Sequence, residues 1–216
     1  LGDAMAAQKR LDEAARAYEK ALDVWPHSVD QGSLPHNYAV TLAGLGRHEE
    51  AAQRFKEILC HQPGNLPAHC NLGHSLRELE QLEDACKAFR SALALEQDMP
   101  QAHLGLAGCL EKLAELDQGA DHARRARELD PCEDTWFREA HILQEKGDYE
   151  AARRCYKKTL ACNPRCVVAM NNMGVLDMNE REHDKADEWF RRARDCDPAY
   201  GEAWTNWANI LEKEGD

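Results

Sequence analysis

A small set of residue types recurs along this chain with a period of about 34 residues. Most copies carry an alanine, an aromatic residue four positions later, a second small or apolar residue and then a proline. Two copies far apart in the sequence share this spacing, Ala14, Tyr18, Ala21 and Pro26 in the first and Ala186, Phe190, Ala193 and Pro198 in the second. A unit of this length cannot bury its apolar face alone, so the period predicts a stack of similar units that pack against their neighbours.

The spacing divides the chain into seven copies, which we expect to form one continuous domain, residues 1–216. Their approximate bounds are 1–28 (a partial copy), 32–65, 66–99, 100–132, 133–166, 167–200 and 201–216 (a first helix only, or a capping helix). The first copy is expected to begin inside its first helix, at Leu1-Gly2, and three extra residues, Val29 to Gln31, precede the second. The fourth copy fits worst, because Gly119 takes the alanine position and Ala123 the aromatic one, and we expect loose packing there.

Local signals predict that each unit is a pair of helices. Apolar residues recur at helical spacing, and no segment alternates as strands do. Proline cannot donate a backbone hydrogen bond and restricts the residue before it, so it predicts a helix end. Such ends are marked by Asp130-Pro131, Asn163-Pro164 and Asp197-Pro198, turns inside a copy by Gly46, Gly147 and Gly215, and the start of the fourth copy by Pro100.

The copies also carry a Leu-Gly pair, or a substitute for it, ahead of the alanine. Leu72-Gly73 and Met173-Gly174 fill this position, and Trp136 and Trp204 stand at the tryptophan that opens the motif. With these residues the chain resembles the tetratricopeptide repeat family over its full length. The resemblance implies an all-α fold, a right-handed superhelical solenoid of antiparallel helix pairs. In such an array the first helices line a concave groove and the second helices form the convex face.

The amino-acid composition limits which classes of partner we expect the protein to bind and in which cellular compartment we expect it. With 39 acidic and 27 basic residues the formal charge is −12, which would repel a phosphate backbone, so we predict no nucleic-acid partner. No run approaches the roughly 18 apolar residues of a membrane span, so no direct membrane insertion is expected. Nine scattered cysteines without paired spacings indicate a reducing compartment, and we predict a cytoplasmic protein.

No motif in the sequence predicts catalysis or a bound cofactor. Phosphate-binding, zinc-protease and nucleophile-elbow motifs are missing from the sequence. A zinc site built from Cys155, Cys162 and Cys166 with Cys196 or His183 is conceivable, but zinc motifs usually place their ligands in tighter pairs. We interpret Cys162 and Cys196 as small apolar substitutes for leucine, and predict no catalytic residue, no cofactor and no metal.

The position just before each Leu-Gly pair carries the most specific functional signal. Asparagine occupies it in four copies and is interrupted in two, as Asn37, Asn71, Asn172 and Asn206 against Gly105 and Arg138. A side-chain amide can pair with both the C=O and the N–H of a peptide bond, so one amide per unit can hold an extended backbone. This column resembles the asparagine ladder of O-linked N-acetylglucosamine transferases, which holds extended polypeptide along the concave face. The alternative is structural: asparagine is common there and satisfies a neighbouring helix end.

Further side chains are expected to line the groove. His74 and His141 share the position one helical turn beyond the asparagines, where they can donate to a partner or titrate near neutral pH, or can be solvated without a role. The remaining groove candidates are Arg77, Leu104, Phe137, Arg138, Asn171 and Asn209. By contrast, His69 and His103 stand at the tryptophan position and are interpreted as packing residues.

A clamp on a partner's C-terminal carboxylate, the other binding mode that the resemblance suggests, is disfavoured. The position that needs lysine in that mode holds His36, Cys70, Leu104, Phe137, Asn171 and Thr205.

Together these observations predict a non-catalytic protein–protein interaction scaffold that binds an extended polypeptide segment in its concave groove. Two alternatives stay open. Both ends of the sequence cut through a repeat, so the chain can be the substrate-recognition arm of a larger enzyme such as a glycosyltransferase. It can also be a self-assembling scaffold, a homo-oligomer through its ends in which Trp204 and Trp207 contact another copy.

Overall fold

The structure, a computed structural model, describes the backbone of residues 2–24 and 33–214 and the side chains of residues 9–24 and 33–212. Several residues to which the repeat assigns a position lie outside this part of the chain: Leu1, Pro26, the insertion at 29–31, Gly215 and Asp216.

Within the described ranges the chain forms twelve α-helices, which confirms the all-α prediction. They are α1 (Gly2–Val24), α2 (Leu34–Gly44), α3 (His48–His61), α4 (Leu66–Glu78), α5 (Leu82–Leu95), α6 (Pro100–Lys112), α7 (Leu116–Leu129), α8 (Glu133–Glu145), α9 (Tyr149–Cys162), α10 (Val167–Asn179), α11 (His183–Cys196) and α12 (Gly201–Glu214). From α2 onward, even-numbered helices are the first helices of repeats and odd-numbered helices are the second. Each second helix from α3 to α11 has 14 residues.

Proline sets several of these helix bounds, as predicted. The helices α7, α9 and α11 end at Leu129, Cys162 and Cys196, two residues before a proline. The intervening Asp or Asn takes an extended conformation because the ring of the following proline disfavours helical backbone there. At the other end of a helix, Pro100 is the first residue of α6, where its missing N–H costs nothing.

The residues fall into two compact units, unit 1 from Leu1 to Ala114 and unit 2 from Glu115 to Asp216. The division lies between the two helices of the fourth copy, where the sequence is least regular. In unit 1, α2, α4 and α6 lie side by side and pack against the second helices α3 and α5. In unit 2, α10 lies beside α12, and the first helices α8, α10 and α12 pack against the second helices α7, α9 and α11. A single continuous domain over 1–216 therefore stays a prediction.

The first copy differs from its prediction. Instead of the end of one helix, a turn and a second helix, residues 2–24 form one continuous helix. The turn position, which Gly46 and Gly147 fill in later copies, is held here by Lys9. Lysine is a good helix former, so the helix can continue through this position.

A left-handed residue closes the turn inside each of the next five copies. Glycine supplies it twice, at Gly46 (φ 75°) and Gly147 (φ 82°), as the sequence predicted. In the other three copies Glu80 (φ 56°), Ala114 (φ 59°) and Arg181 (φ 63°) adopt it. This conformation costs an L-residue roughly 1–2 kcal/mol, so these turns store strain that the helix packing overcomes.

Close contact between an aromatic ring and two glycines forms the core of unit 1. The buried ring of Phe89 lies so near Gly73 and Gly105 that a Cβ atom would come within 2.8 Å and 2.4 Å of it, respectively. Phe190 approaches Gly174 in unit 2 in the same way, at 2.6 Å. The asparagine column is therefore interrupted at Gly105 by steric necessity, because any side chain there would collide with Phe89.

Unit 2 buries two carboxylates where the repeat has apolar residues, a feature that our interpretation of the sequence missed. Glu139 stands at the leucine of the Leu-Gly pair, and Asp177 stands at the next large apolar position; they are 6% and 2% exposed. Leucine fills the position of Asp177 in five other copies, as Leu42, Leu76, Leu110, Leu143 and Leu211. Each carboxylate pairs with an arginine of the preceding second helix: Glu139 with Arg127 at 2.8 Å and Asp177 with Arg153 at 2.6 Å.

Candidate functional site

The asparagine column lies on the first helices of both units. Asn37 and Asn71 come from α2 and α4 of unit 1, and Asn172 and Asn206 from α10 and α12 of unit 2. The side chain of Asn37 is exposed, and the other three are half-buried. Within each unit, two successive first helices therefore each contribute one amide to the same face, which we call the asparagine face.

Two of these amides bind the first helix of the preceding repeat. Nδ2 of Asn71 lies 3.3 Å from Nε2 of His36, and Nδ2 of Asn206 donates to Oδ1 of Asn171 at 2.9 Å. Both pairs span 35 residues, so they are the same contact in different repeats. These asparagines therefore link neighbouring helices through side chains, and neither bond satisfies a backbone group at a helix end as the structural alternative expected. Each link uses one N–H of the amide and leaves its carbonyl oxygen and second N–H for other partners.

The amide of Asn172 has a different partner. Phe137 occupies the position of His36 and Asn171 and has no acceptor, so Nδ2 of Asn172 donates to the hydroxyl of Tyr156 at 2.9 Å. That hydroxyl donates in turn to Oε1 of Gln144 at 2.9 Å. The relay was missed from the sequence, in which Tyr156 occupies the aromatic core position. The available signal was a tyrosine where other copies have Phe55, Phe89 and Phe190.

A small cleft of about 90 Å³ opens beside Asn71 in unit 1. Its lining comes from α2, α3 and α4, namely Val40, Ala43, His48, Phe55, Asn71, His74, Ser75 and Glu78. The ring of His74 contacts Phe89 edge-on, with centroids 5.0 Å apart. Burial, and then the nearby Arg77, lower the pKa of His74, and burial lowers the pKa of His36. Both imidazoles are therefore largely neutral at pH 7, and the cleft suits an uncharged side chain.

An aromatic wall takes the corresponding place in unit 2. Phe137 stacks on His141 with centroids 6.0 Å apart and lies 5.9 Å from Tyr156. Phe137, Arg138 and His141 are each half-buried, so part of each side chain reaches the surface.

The other predicted groove residues divide into accessible and inaccessible side chains. Asn209 is exposed and Leu104 half-buried, while Arg77 pairs with Glu78 at 3.0 Å. Asn171 is only 3% exposed, and its carbonyl oxygen accepts the hydrogen bond from Asn206. The expectation that Asn171 adds a binding group is therefore wrong, because the neighbouring helix covers it.

Two valines were overlooked at the position shared by His74, His141 and Asn209. Val40 on α2 is 44% exposed and lines the small cleft of unit 1, and Val175 holds the same position on α10. Their place in the repeat was the signal that could have identified them.

The histidines at the tryptophan position have the packing role that the sequence predicted. Nε2 of His69 lies 2.8 Å from the carbonyl of Pro63, and Nε2 of His103 lies 2.9 Å from that of Gln97. The indole of Trp204 donates to the carbonyl of Pro198, again six residues earlier. Histidine thus reproduces the tryptophan N–H contact.

Two predictions from the sequence concern features outside the asparagine face: that the cysteines form no metal site, and that no segment enters a membrane. Burial raises the pKa of Cys155 to about 11, which keeps it a neutral thiol and a poor metal ligand. Across residues 9–24 and 33–212, no group of three His, Cys, Asp or Glu side chains has a geometry that could hold a metal ion. Among the twelve helices, none combines the length and apolar character needed to cross a membrane.

Three family models match successive parts of the chain, and each describes a tetratricopeptide repeat. They cover residues 1–59, 70–132 and 133–166.

Curated relatives match shorter segments. Tetratricopeptide repeat protein 8 of Homo sapiens is 30% identical over 83 residues, which are 38% of this chain and 15% of that protein. General transcriptional corepressor ssn6 of Schizosaccharomyces pombe is 29% identical over 73 residues, 34% of this chain and 7% of the corepressor. Photosystem I assembly protein Ycf3 of Prochlorococcus marinus is 26% identical over 83 residues, which are 37% of this chain and 48% of Ycf3. The chain spans less than half the length of each of these relatives.

Solved structures share the fold over most of the chain. The crystal structure of the APC/C hetero-tetramer Cut9-Hcn1 matches with a TM-score of 0.79 at 18% identity, covering 94% of this chain and 40% of that one. YrrB, described as a tetratricopeptide repeat protein with an unusual peptide-binding site, matches with a TM-score of 0.69 at 21% identity, covering 88% and 97%.

Proposed function

Because this chain belongs to the tetratricopeptide repeat family, we propose that it is a protein–protein interaction scaffold whose asparagine face binds an extended polypeptide segment. The asparagine column carries this proposal. In each unit, amides on two successive first helices share a face, and Asn71, Asn172 and Asn206 are each fixed by a hydrogen bond from Nδ2.

The fixed amides suit a peptide backbone. With Nδ2 held by a neighbour, each asparagine still offers its carbonyl oxygen and one N–H, the two groups that pair with a peptide unit. Packed helices lie about 8–10 Å apart, and an extended chain advances about 3.3 Å per residue. Successive asparagines would therefore contact about every third residue of one extended segment. Such contacts are independent of the segment's side chains.

Selectivity would come from the side chains around the amides. In unit 1 the small cleft between Val40 and His74 has apolar walls and the neutral imidazole of His74, which favours a short uncharged side chain. In unit 2 the surface beside Asn172 carries Phe137 and His141, which favour an aromatic or aliphatic one. Affinity for one segment should be modest, because ordering a flexible chain costs conformational entropy.

The test compares two variants in which amide side chains are removed from different faces. The first replaces Asn37, Asn71, Asn172 and Asn206 by alanine. The control replaces Gln53 and Gln118, exposed amides on the second helices α3 and α7. Partners are captured with the wild-type chain, their binding segments are mapped to synthetic peptides, and each peptide is titrated against all three proteins by fluorescence anisotropy.

We expect the asparagine variant to lose peptide affinity about tenfold or more and the glutamine control to keep it. Thermal unfolding followed by circular dichroism must show that both variants remain helical, because three of the asparagines also link helices. Equal affinity of the asparagine variant and the wild type for mapped peptides would refute the proposal.

Self-association is a second candidate, favoured by one observation. Trp204 and Leu211 on α12 are 45% and 48% exposed, a large apolar surface for a single helix. Sedimentation equilibrium tests this candidate, since Trp204→Lys with Leu211→Lys would abolish an oligomer formed through α12. A monomeric wild-type protein at high concentration would exclude it. The glycosyltransferase-arm alternative and the cytoplasmic location stay predictions.

A further inference from the structure

Unit 2 has a second, larger cleft between the second helices α9 and α11. Its volume is about 440 Å³. The lining residues come from α9 (Arg153, Lys157), α10 and its C-cap (Met173, Asp177, Glu180) and α11 (Lys185, Glu188, Trp189, Arg192). Successive residues of a helix point about 100° apart, so Met173 and Asn172 face different directions. The cleft and the asparagine face therefore use different sides of α10.

An arginine held by a buried carboxylate forms the floor of this cleft. Nη1 of Arg153 donates to Oδ1 of Asp177 at 2.6 Å, and Nη2 donates to Oε2 of Glu180 at 2.9 Å. The side chain of Asp177 is 3% exposed and that of Glu180 is 40% exposed. Asp177 thus fixes the guanidinium from below, while the exposed Glu180 covers the side that faces outward.

Asp177 departs from the repeat in a way that packing alone does not require. Five other copies place leucine at its position, and a leucine there would bury apolar surface without the cost of desolvating a carboxylate. Departures from a local rule are expected at functional positions. In this cleft the departure gives Arg153 one fixed orientation.

Two further cations flank Arg153 without an acidic partner among the described residues. Lys157 on α9 and Arg192 on α11 are both exposed, and the guanidinium of Arg192 lies 4.3 Å from the ring centre of Trp189. The fourth cation, Lys185, pairs with Glu182 at 3.2 Å, and Glu188 adds an exposed negative charge. A ligand would therefore meet Lys157 and Arg192 as uncompensated charges.

The charge of α9 sets this cleft apart from the chain as a whole. The helix carries four basic residues and a single acidic one, so its formal charge is +3 in a chain of −12. The basic residues are Arg153, Arg154, Lys157 and Lys158. A positive surface on an acidic protein attracts acidic partners and repels basic ones.

We propose that the cleft between α9 and α11 binds an acidic polypeptide segment. A carboxylate of the segment takes the place of Glu180 on the outward nitrogen of Arg153, a position that the structure already shows to accept a carboxylate. Lys157 and Arg192 pair with neighbouring carboxylates, and Trp189 packs against the aliphatic part of the segment. Asp177 is a positioning residue, because it acts only through Arg153.

The experiment titrates the whole chain against a fluorescein-labelled peptide of alternating glutamate and glycine, with the glutamine counterpart as the uncharged probe. Fluorescence anisotropy is read at low and at physiological ionic strength. The test variant is Lys157→Glu with Arg192→Glu. The matched control is Lys158→Glu with Arg191→Glu, which makes the same change of charge on exposed residues of the same two helices outside the cleft.

We expect the glutamate peptide to bind the wild type in a salt-dependent manner. The cleft variant should bind this peptide at least about tenfold more weakly, and the affinity of the control variant should stay within about threefold of the wild type. Replacing Asn172 and Asn206 by alanine should leave this binding unchanged, which separates it from binding at the asparagine face. Equal losses in the cleft and control variants would reduce the effect to general electrostatics and overturn the proposal. Failure of the glutamate peptide to bind the wild type would also overturn the proposal. Dimerisation of the wild type through residues 157 and 192 would overturn it as well, because the occupant of the cleft would then be a second copy of the chain.

Discussion

The pair formed by Arg153 and Asp177 allows a quantitative test of how unit 2 is stabilised. Replacing Asp177 by alanine leaves a guanidinium that is 16% exposed with only the 40% exposed Glu180 as its partner. Removing one member of a buried pair typically costs 3–5 kcal/mol, and a half-exposed carboxylate offsets at most about 1 kcal/mol of this. We therefore expect a loss of about 3 kcal/mol. Replacing both residues, Arg153→Met with Asp177→Leu, should change the free energy of unfolding by no more than about 1 kcal/mol.

The measurement is urea unfolding followed by tryptophan fluorescence and by circular dichroism. Four of the five tryptophans belong to unit 2, at positions 136, 189, 204 and 207, so fluorescence reports mainly on that unit. With a slope of about 2 kcal/mol per molar urea, the single variant should lower the fluorescence midpoint by about 1.5 M. Arg153→Met and Asp177→Leu alone complete the double-mutant cycle. A double variant as unstable as the sum of its singles would refute the argument, because the two side chains would then act independently.

Three further predictions concern other features of the fold. Ala114→Gly should stabilise the chain by about 0.5–1 kcal/mol and Gly147→Ala should destabilise it by about 1 kcal/mol, because both turns need a left-handed residue. In thermal unfolding the first variant should raise the melting temperature and the second should lower it. Gly105→Ala should lower the free energy of unfolding by about 1–3 kcal/mol despite alanine's higher helix propensity, because its Cβ would lie 2.4 Å from Phe89. A variant that is more stable than the wild type in urea unfolding would contradict this contact. Folding lowers the pKa of His74, so the unfolded chain binds the proton more readily than the folded one. The free energy of unfolding should therefore fall as the pH drops from about 7.5 to 5.5, and His74→Gln should weaken this pH dependence of the urea midpoint.

Much of the helical framework could be predicted from the sequence, because each signature residue has a local role. The prolines at 131, 164 and 198 lie just beyond the ends of helices, and Gly46 and Gly147 close their turns through their left-handed conformation, so both effects are local. The continuous helix α1 shows the limit of the method. There the repeat spacing placed a turn at Lys9, but the helix continues through it, although the non-glycine residues Glu80, Ala114 and Arg181 close the turn in other copies.

The candidate site was less predictable, because its hydrogen bonds join residues of different repeats. The sequence showed that asparagines share a position, but whether an amide meets His36, Asn171 or Tyr156 depends on the neighbouring repeat. Asn171 was misjudged for this reason, since its burial depends on Asn206, 35 residues later.

The buried carboxylates of unit 2 were detectable but overlooked. Aligning the copies puts Asp177 in a column of leucines and Glu139 in a column of large apolar side chains. The sequence alone could not show which arginine compensates each charge, because α7 carries three arginines and α9 carries two.

The ion pair between Arg153 and Asp177 restricts which repeats can stack on one another. Repeats of similar shape and length can dock in the wrong order during folding, a characteristic failure of repeat proteins. The residue equivalent to Arg127 is leucine in the third and fifth copies, but Arg194 fills that position in the sixth, and Arg124 also lies 4.0 Å from Glu139, so Glu139 can find a cation on more than one second helix. At the position of Arg153, by contrast, the second, third, fourth and sixth copies have Ala52, Cys86, Ala120 and Asp187. Asp177 docked on any of those second helices would be a buried carboxylate without its arginine, at a cost of several kcal/mol, so this position selects α9 by charge as well as by shape.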